Sequence, residues 1–112
     1  MTEEEEFQLL EARLNQKKAM NTTDIEDILT ERGTRYGKFK DHANASQSLK
    51  SVVKIHMGDR WYQIEPDQRE ALEMICHKMA RIINGDPNYA DSWQDIAGYA
   101  KLIVDRLNGV AK

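Results

Sequence analysis

The chain has a single cysteine, two prolines and two phenylalanines in 112 residues. One thiol, Cys76, cannot close an internal disulfide, which excludes the stapled framework of a small secreted domain and fits a reducing compartment. No apolar run approaches the roughly 20 residues of a membrane span. No stretch alternates apolar and polar residues with the period of a strand. Net charge is only −3, so the global basic field that draws a protein onto nucleic acid is missing. The acidic run Glu3 to Glu6 is unlike a signal or transit peptide. Cytoplasmic location, no membrane and no nucleic-acid partner are the resulting expectations. No Cys/His spacing suggests zinc, and no Walker-type or dinucleotide fingerprint occurs. His42, His56 and His77 have no serine or cysteine placed beside them by sequence, so no nucleophile–base pair and no catalytic residue is assigned.

What is present is a globular composition, 40% hydrophobic and 31% charged, at a length that defaults to one domain. Its periodicity is helical throughout. Glu3 to Ala19 carries a thin stripe of Phe7, Leu10 and Leu14. Asn21-Thr22-Thr23 breaks it, Thr23 is placed to cap a second helix with Glu26 at the capping-box position, and Gly33 is its expected stop. Asp41 is the expected cap of a third helix, with Ala45, Leu49, Val52, Val53 and His56 on one face and Gly58 at its end. Gly58 to Pro66 is an apolar connection. Pro66 suits the first turn of a fourth helix that ends at Asn84-Gly85. Asp91, with Gln94 three residues on, is the expected cap of a fifth, whose stripe runs Trp93, Ile96, Ala97, Ala100, Ile103, Val104 and Leu107. The expectation is an all-α fold: a compact, oligomeric bundle of four to five helices, with residues 1–22 as an N-terminal amphipathic helix and break, and 23–112 as one helical domain.

Two constellations carry chemistry. Glu70-x-x-Glu73 places two carboxylates one turn apart, and Asp91 and Asp95 are i, i+4 on the next helix. Four such oxygens suit a hard cation, Mg²⁺, that bridges substrate phosphates. They also suit solvated helix ends: acids are favoured in a first turn, and Glu73 can pair with His77. Lys78 and Arg81, one turn apart, are the expected phosphate donors. The second constellation is the loop from Arg32 to Phe39, with two glycines, two aromatics and three cations. Arg35 and Lys38 suit phosphates, and Tyr36 and Phe39 suit a base. Equally, Tyr36 and Phe39 suit plugging the core of a helix connection. Gly98, in mid-helix, costs about 1 kcal/mol relative to alanine. Close approach of another helix, from this subunit or a second, is the favoured compensation, and room for a ligand beside Asp95 is the alternative. Gly98, Tyr99, Leu102 and Trp61 are therefore the expected interface residues.

Two segments bear a resemblance. Glu31-Arg32-Gly33-Thr34-Arg35-Tyr36-Gly37-Lys38-Phe39 is one. The other runs from Lys78-Met79-Ala80-Arg81 through Asn84-Gly85-Asp86-Pro87 to Asp91-Ser92-Trp93-Gln94-Asp95-Ile96-Ala97-Gly98-Tyr99-Ala100. Over residues 24–107 the chain resembles a small uncharacterised family common in phages and prophages, which implies a phage origin and the host cytoplasm. More distantly it is similar to all-α nucleoside triphosphate pyrophosphatases of the MazG kind. Those carry Glu-x-x-Glu on one helix and Glu-x-x-Asp on the next, bind Mg²⁺ and cleave between the α- and β-phosphates. Glu70 and Glu73 match the first half. In the second half, Asp95 matches but Ser92 stands where glutamate is expected, with Asp91 one residue early.

The leading expectation is a phage accessory protein that binds a nucleotide with Mg²⁺, whether or not it hydrolyses it. The rival from another class is a non-enzymatic phage protein that binds a host protein or sequesters a signalling nucleotide, with Trp61, Tyr62 and the N-terminal helix as its surface. A structural oligomer is the third.

Overall fold

The computed structural model describes residues 2–20 and 22–110, without the side chains of residues 12–20, 22 and 23. It is all-helical in the described residues: α1 (Glu3–Met20), α2 (Thr22–Tyr36), α3 (Phe39–Met57), a 3₁₀ turn over Gly58–Tyr62, α4 (Pro66–Asn84) and α5 (Ala90–Leu107). Leu14, Asn21 and the capping role of Thr23 lie outside the described positions. No described helix is long and apolar enough to cross a membrane.

The chain divides into two compact units, Met1–Arg32 and Gly33–Lys112. In the first, α1 opens with four acidic residues, which suit the positive end of a helix dipole. Its stripe is thin, and Phe7 and Leu10 are exposed. The second unit is built on α4, which packs against α3 on one flank and α5 on the other.

Several helix ends differ from expectation, each for a local reason. Gly33 does not stop α2, which continues to Tyr36, and a β-carbon at Gly33 would meet nothing within 4 Å. The stop is Gly37, whose φ of +79° is a left-handed conformation that glycine adopts without strain. α3 begins at Phe39 with Lys38 as its N-cap, so Asp41 lies in the first turn rather than capping it. α5 begins at Ala90 with Tyr89 as its N-cap, and Asp91 is likewise a first-turn acid. The capping box expected at Asp91–Gln94 is found instead on α4: Glu65 and Gln68 bond reciprocally across the first turn, with Pro66 just inside it.

The core is small. Trp61, Ala71, Cys76 and Ala80 are its buried apolar residues. α3 faces α4 with His42 and Ser46, one turn apart, rather than with Val52 or His56, which are exposed. The α5 stripe is not buried core either. Trp93, Val104 and Leu107 are each more than half exposed, while Ser92 is buried. Periodicity found the stripe but could not show which side of the helix α4 would occupy.

Candidate functional site

At one end of the second unit, the end of α2 meets the α4–α5 turn. A β-carbon on Gly37 would lie 2.1 Å from the Asn84 carbonyl oxygen, and one on Gly85 would lie 1.9 Å from the Arg35 carbonyl oxygen. The two backbones therefore touch at both glycines. The Asp86 N–H donates to the Arg35 carbonyl at 2.6 Å, and the Asn84 amide donates to the Ala80 carbonyl at 3.0 Å. The space beside Gly37 is taken by Asn84.

This clamp interleaves cations and rings. The Arg81 guanidinium lies 4.3 Å from the centre of the Tyr36 ring, and that of Arg35 lies 4.1 Å from the Tyr89 ring. The two tyrosine rings are 6.1 Å apart. Such stacking stabilises by about 0.5–2 kcal/mol per pair. It engages the face of a guanidinium, whereas an anion takes its N–H edge. Phe39 stands beside the cluster, 80% exposed, with its ring 6.3 Å from that of His42. It is therefore not a core plug. Phe39 also begins α3, whose N-cap residue supplies no side-chain hydrogen bond to the first turn. Helix N-termini of this kind favour anions.

Under the cluster, His42 and His77 meet edge to face, with ring centres 4.6 Å apart. His42 Nδ1 and Ser46 Oγ are buried and have no hydrogen-bond partner among the described residues. Burial, first, and then the neighbouring Arg81 charge hold His42 below its usual pKa. His77 is pushed down to about 4 by burial, by His42 and by Arg81. Both imidazoles are thus neutral at pH 7, in a field made positive by Arg81, Lys50 and Lys78.

A stability prediction follows from His77. Its folded pKa lies below the unfolded value of 6.5, so between pH 6.5 and about 4 the unfolded chain binds the proton more readily. His77 contributes its full share of stability above pH 6.5 and loses it as pH falls through about 4. The urea midpoint of the wild type is expected to fall more steeply over this window than that of His77→Gln. Parallel curves would refute the assignment.

The carboxylates expected to share a metal are dispersed. Glu73 faces α3 and pairs with Lys54 at 3.5 Å. Asp95 pairs with Lys78 at 2.9 Å. Glu70 lines a separate depression with Tyr99, Leu102 and Arg106. Asp91 is exposed near the start of α5. In an antiparallel hairpin Glu70 lies opposite Tyr99–Ile103, several turns from Asp91. Among the described residues no group of three or more His, Cys, Asp or Glu could hold a metal ion. The four residues do not fit a shared Mg²⁺ site within the chain.

Of the expected phosphate and base contacts, Arg35, Tyr36, Arg81 and Phe39 come together. Lys78 is held by Asp95, and Lys38 is exposed at the start of α3. Trp61 is corrected from interface to core: it is 7% exposed, lies under the Lys54 ammonium, and its carbonyl accepts from Arg69. Its neighbour Tyr62 is the exposed aromatic, at 82%. Among the described residues Gly98 has no close approach, since a β-carbon there would meet nothing within 4 Å. Ser46 and Tyr89 went unread in the sequence, and His42, expected to have no serine beside it, has Ser46 one turn on, buried on the same face. The one available signal was the i, i+4 spacing of His42 and Ser46, which marks a shared face but not a buried one.

The fold and site define a class: a small helical domain with a cation–aromatic clamp at one end. Residues 19–106 match the model of a domain of unknown function, DUF6378, and the chain belongs to that family. No curated protein and no solved structure matches.

Proposed function

We propose that this protein binds a phosphorylated ligand of the nucleotide class at the Arg35–Tyr36–Arg81–Tyr89 clamp. The observation that carries the reading is convergence. Segments nearly half the chain apart interleave two guanidinium groups with two tyrosine rings, directly above buried polar atoms that lack partners. The edge of Arg81 and the first turn of α3 would take phosphate oxygens. The exposed Phe39 ring would stack on a base, a contact worth about 1–3 kcal/mol in other proteins.

Mg²⁺ enters this reading as a counterion carried by the nucleotide, not as a metal held by Glu70, Glu73, Asp91 and Asp95. Hydrolysis is therefore not part of it. A phage or prophage accessory role in the host cytoplasm, and kinship to the MazG-like fold, rest on the resemblance of the two quoted segments. They belong to the same proposal.

The test is thermal unfolding with inorganic phosphate, pyrophosphate and a panel of nucleotides, each with and without Mg²⁺. A ligand at a hundredfold excess over its Kd stabilises by about 2.7 kcal/mol. The shift is expected for nucleotides, and Arg81→Ala is expected to weaken binding about tenfold or more, since it removes hydrogen bonds to a charged group. Arg81→Lys should recover part of that loss. No shift with any of these ligands would end the nucleotide reading.

A further inference from the structure

The second unit leaves an apolar face open. Between α3 and α5, Leu72 and Ile75 of α4 form the floor of a groove of about 360 Å³, with Ala100 and Ile103 on its α5 wall. Met79 and Ile83 continue the α4 arc and are 39% and 60% exposed. The α5 stripe meets the groove at Ala100 and Ile103 and contains no charged residue.

We propose that this face is covered by a second copy of the chain, α5 against α5, on a two-fold axis through Ala100. The stripe is symmetric about that residue. Trp93 and Leu107 lie seven positions to either side, and Ile96, Ala97, Ile103 and Val104 lie three and four positions away. A two-fold interface pairs each surface with itself in reverse. Antiparallel pairing therefore sets Trp93 against the second copy's equivalent of Leu107, and small Ala100 against its own equivalent, where two helices can approach closely. Trp93 is already fixed for the contact. Its indole N–H donates to the Pro87 carbonyl at 2.8 Å, while 54% of the residue stays exposed.

The area also suits a second copy. Trp93, Val104, Leu107, Met79 and Ile83, each about half exposed, present on the order of 500 Å² per chain. The groove adds to this, and a standard specific interface takes about 800 Å² per partner. The inference is independent of nucleotide binding, because its residues are not those of the clamp.

The experiment uses the full chain in sedimentation equilibrium across a wide concentration range. A dimer is expected. Ala100→Glu, which sets two like charges together on the axis, should raise its dissociation constant about a hundredfold or more. Gln94→Glu, the same charge off the stripe, should leave it unchanged. Ala100→Cys should become a covalent dimer with an added oxidant, since only residues with α-carbons within about 7 Å can be bridged. Val104→Cys should not, and the buried Cys76 of the wild type should remain reduced. The Cys variants keep the test decisive if Ala100→Glu fails to fold. A monomer at every concentration would overturn the proposal, whether the face is bare or covered by another part of the chain. So would a dimer that persists in Ala100→Glu while Ala100→Cys stays uncrosslinked.

Discussion

Gly85→Ala is expected to destabilise the protein by about 3 kcal/mol or more, at the upper end of overpacking effects. The added methyl would sit 1.9 Å from the Arg35 carbonyl oxygen and 2.4 Å from the Tyr36 α-carbon. Both atoms are backbone, so no side chain can swing aside to make room. Relief requires parting the end of α2 from the α4–α5 turn. That breaks the Asp86–Arg35 hydrogen bond and unstacks Arg81 from Tyr36. Urea denaturation measures the stability, and the nucleotide titration should fail in the same variant. Gly33→Ala is the control, because that position is open and the change favours a helix. Equal midpoints for the Gly85 variant and the wild type would show that the clamp is absent in solution.

Trp61→Ala is expected to cost about 3–5 kcal/mol, the usual range for deleting a buried tryptophan. The context argues for the upper part. Among the described residues, Trp61 is the only large buried apolar side chain, the others being two alanines and a cysteine. The Lys54 ammonium lies 5.3 Å from its ring centre, and Arg69 bonds its carbonyl together with that of Ile64. Loss of the ring leaves the 3₁₀ turn without its anchor and frees the entry to α4. Denaturant unfolding followed by far-ultraviolet circular dichroism reads the effect, and a change below 1 kcal/mol would refute the burial. Tyr62→Ala, one residue on and exposed, should be close to neutral.

The helices were legible because local chemistry wrote them. Pro66 and Gly85 bracket α4, Gly58 ends α3 with φ +55°, and apolar spacing of three and four runs through each element. The errors fell where a helix end or face is decided by distant residues. Gly33 carries a stop signal, yet α2 continues for three more residues to the point where Asn84 crowds it at Gly37. The α5 stripe was visible, but the side α4 takes was not: Asp67–Arg106 and Lys78–Asp95 pair across that contact, and no single helix encodes it. For the site, the Arg32–Phe39 segment stood out by composition and Arg81 by its spacing with Lys78, while Tyr89 did not stand out. Nor did the contact between them, because it depends on backbone approach between residues far apart in sequence. Where the carboxylates fall is likewise a matter of tertiary packing. Their spacing along each helix is right for a shared ion, while the antiparallel run of α4 and α5 draws them apart.

The wiring of the second unit also sets the order in which it assembles. α4 packs on the helices immediately before and after it, so most of its contacts join near neighbours in the chain. Such local topologies fold quickly, because little loop entropy is lost before contacts form. The Arg35–Asp86 hydrogen bond closes a longer loop than Asp41–Asn84 or Asp67–Arg106 do, nearly half the chain. It is expected to form late and to open early. In hydrogen exchange, the amide of Asp86 should open well before those in the middle of α4, so that the clamped end breathes while the helical hairpin behind it stays shut.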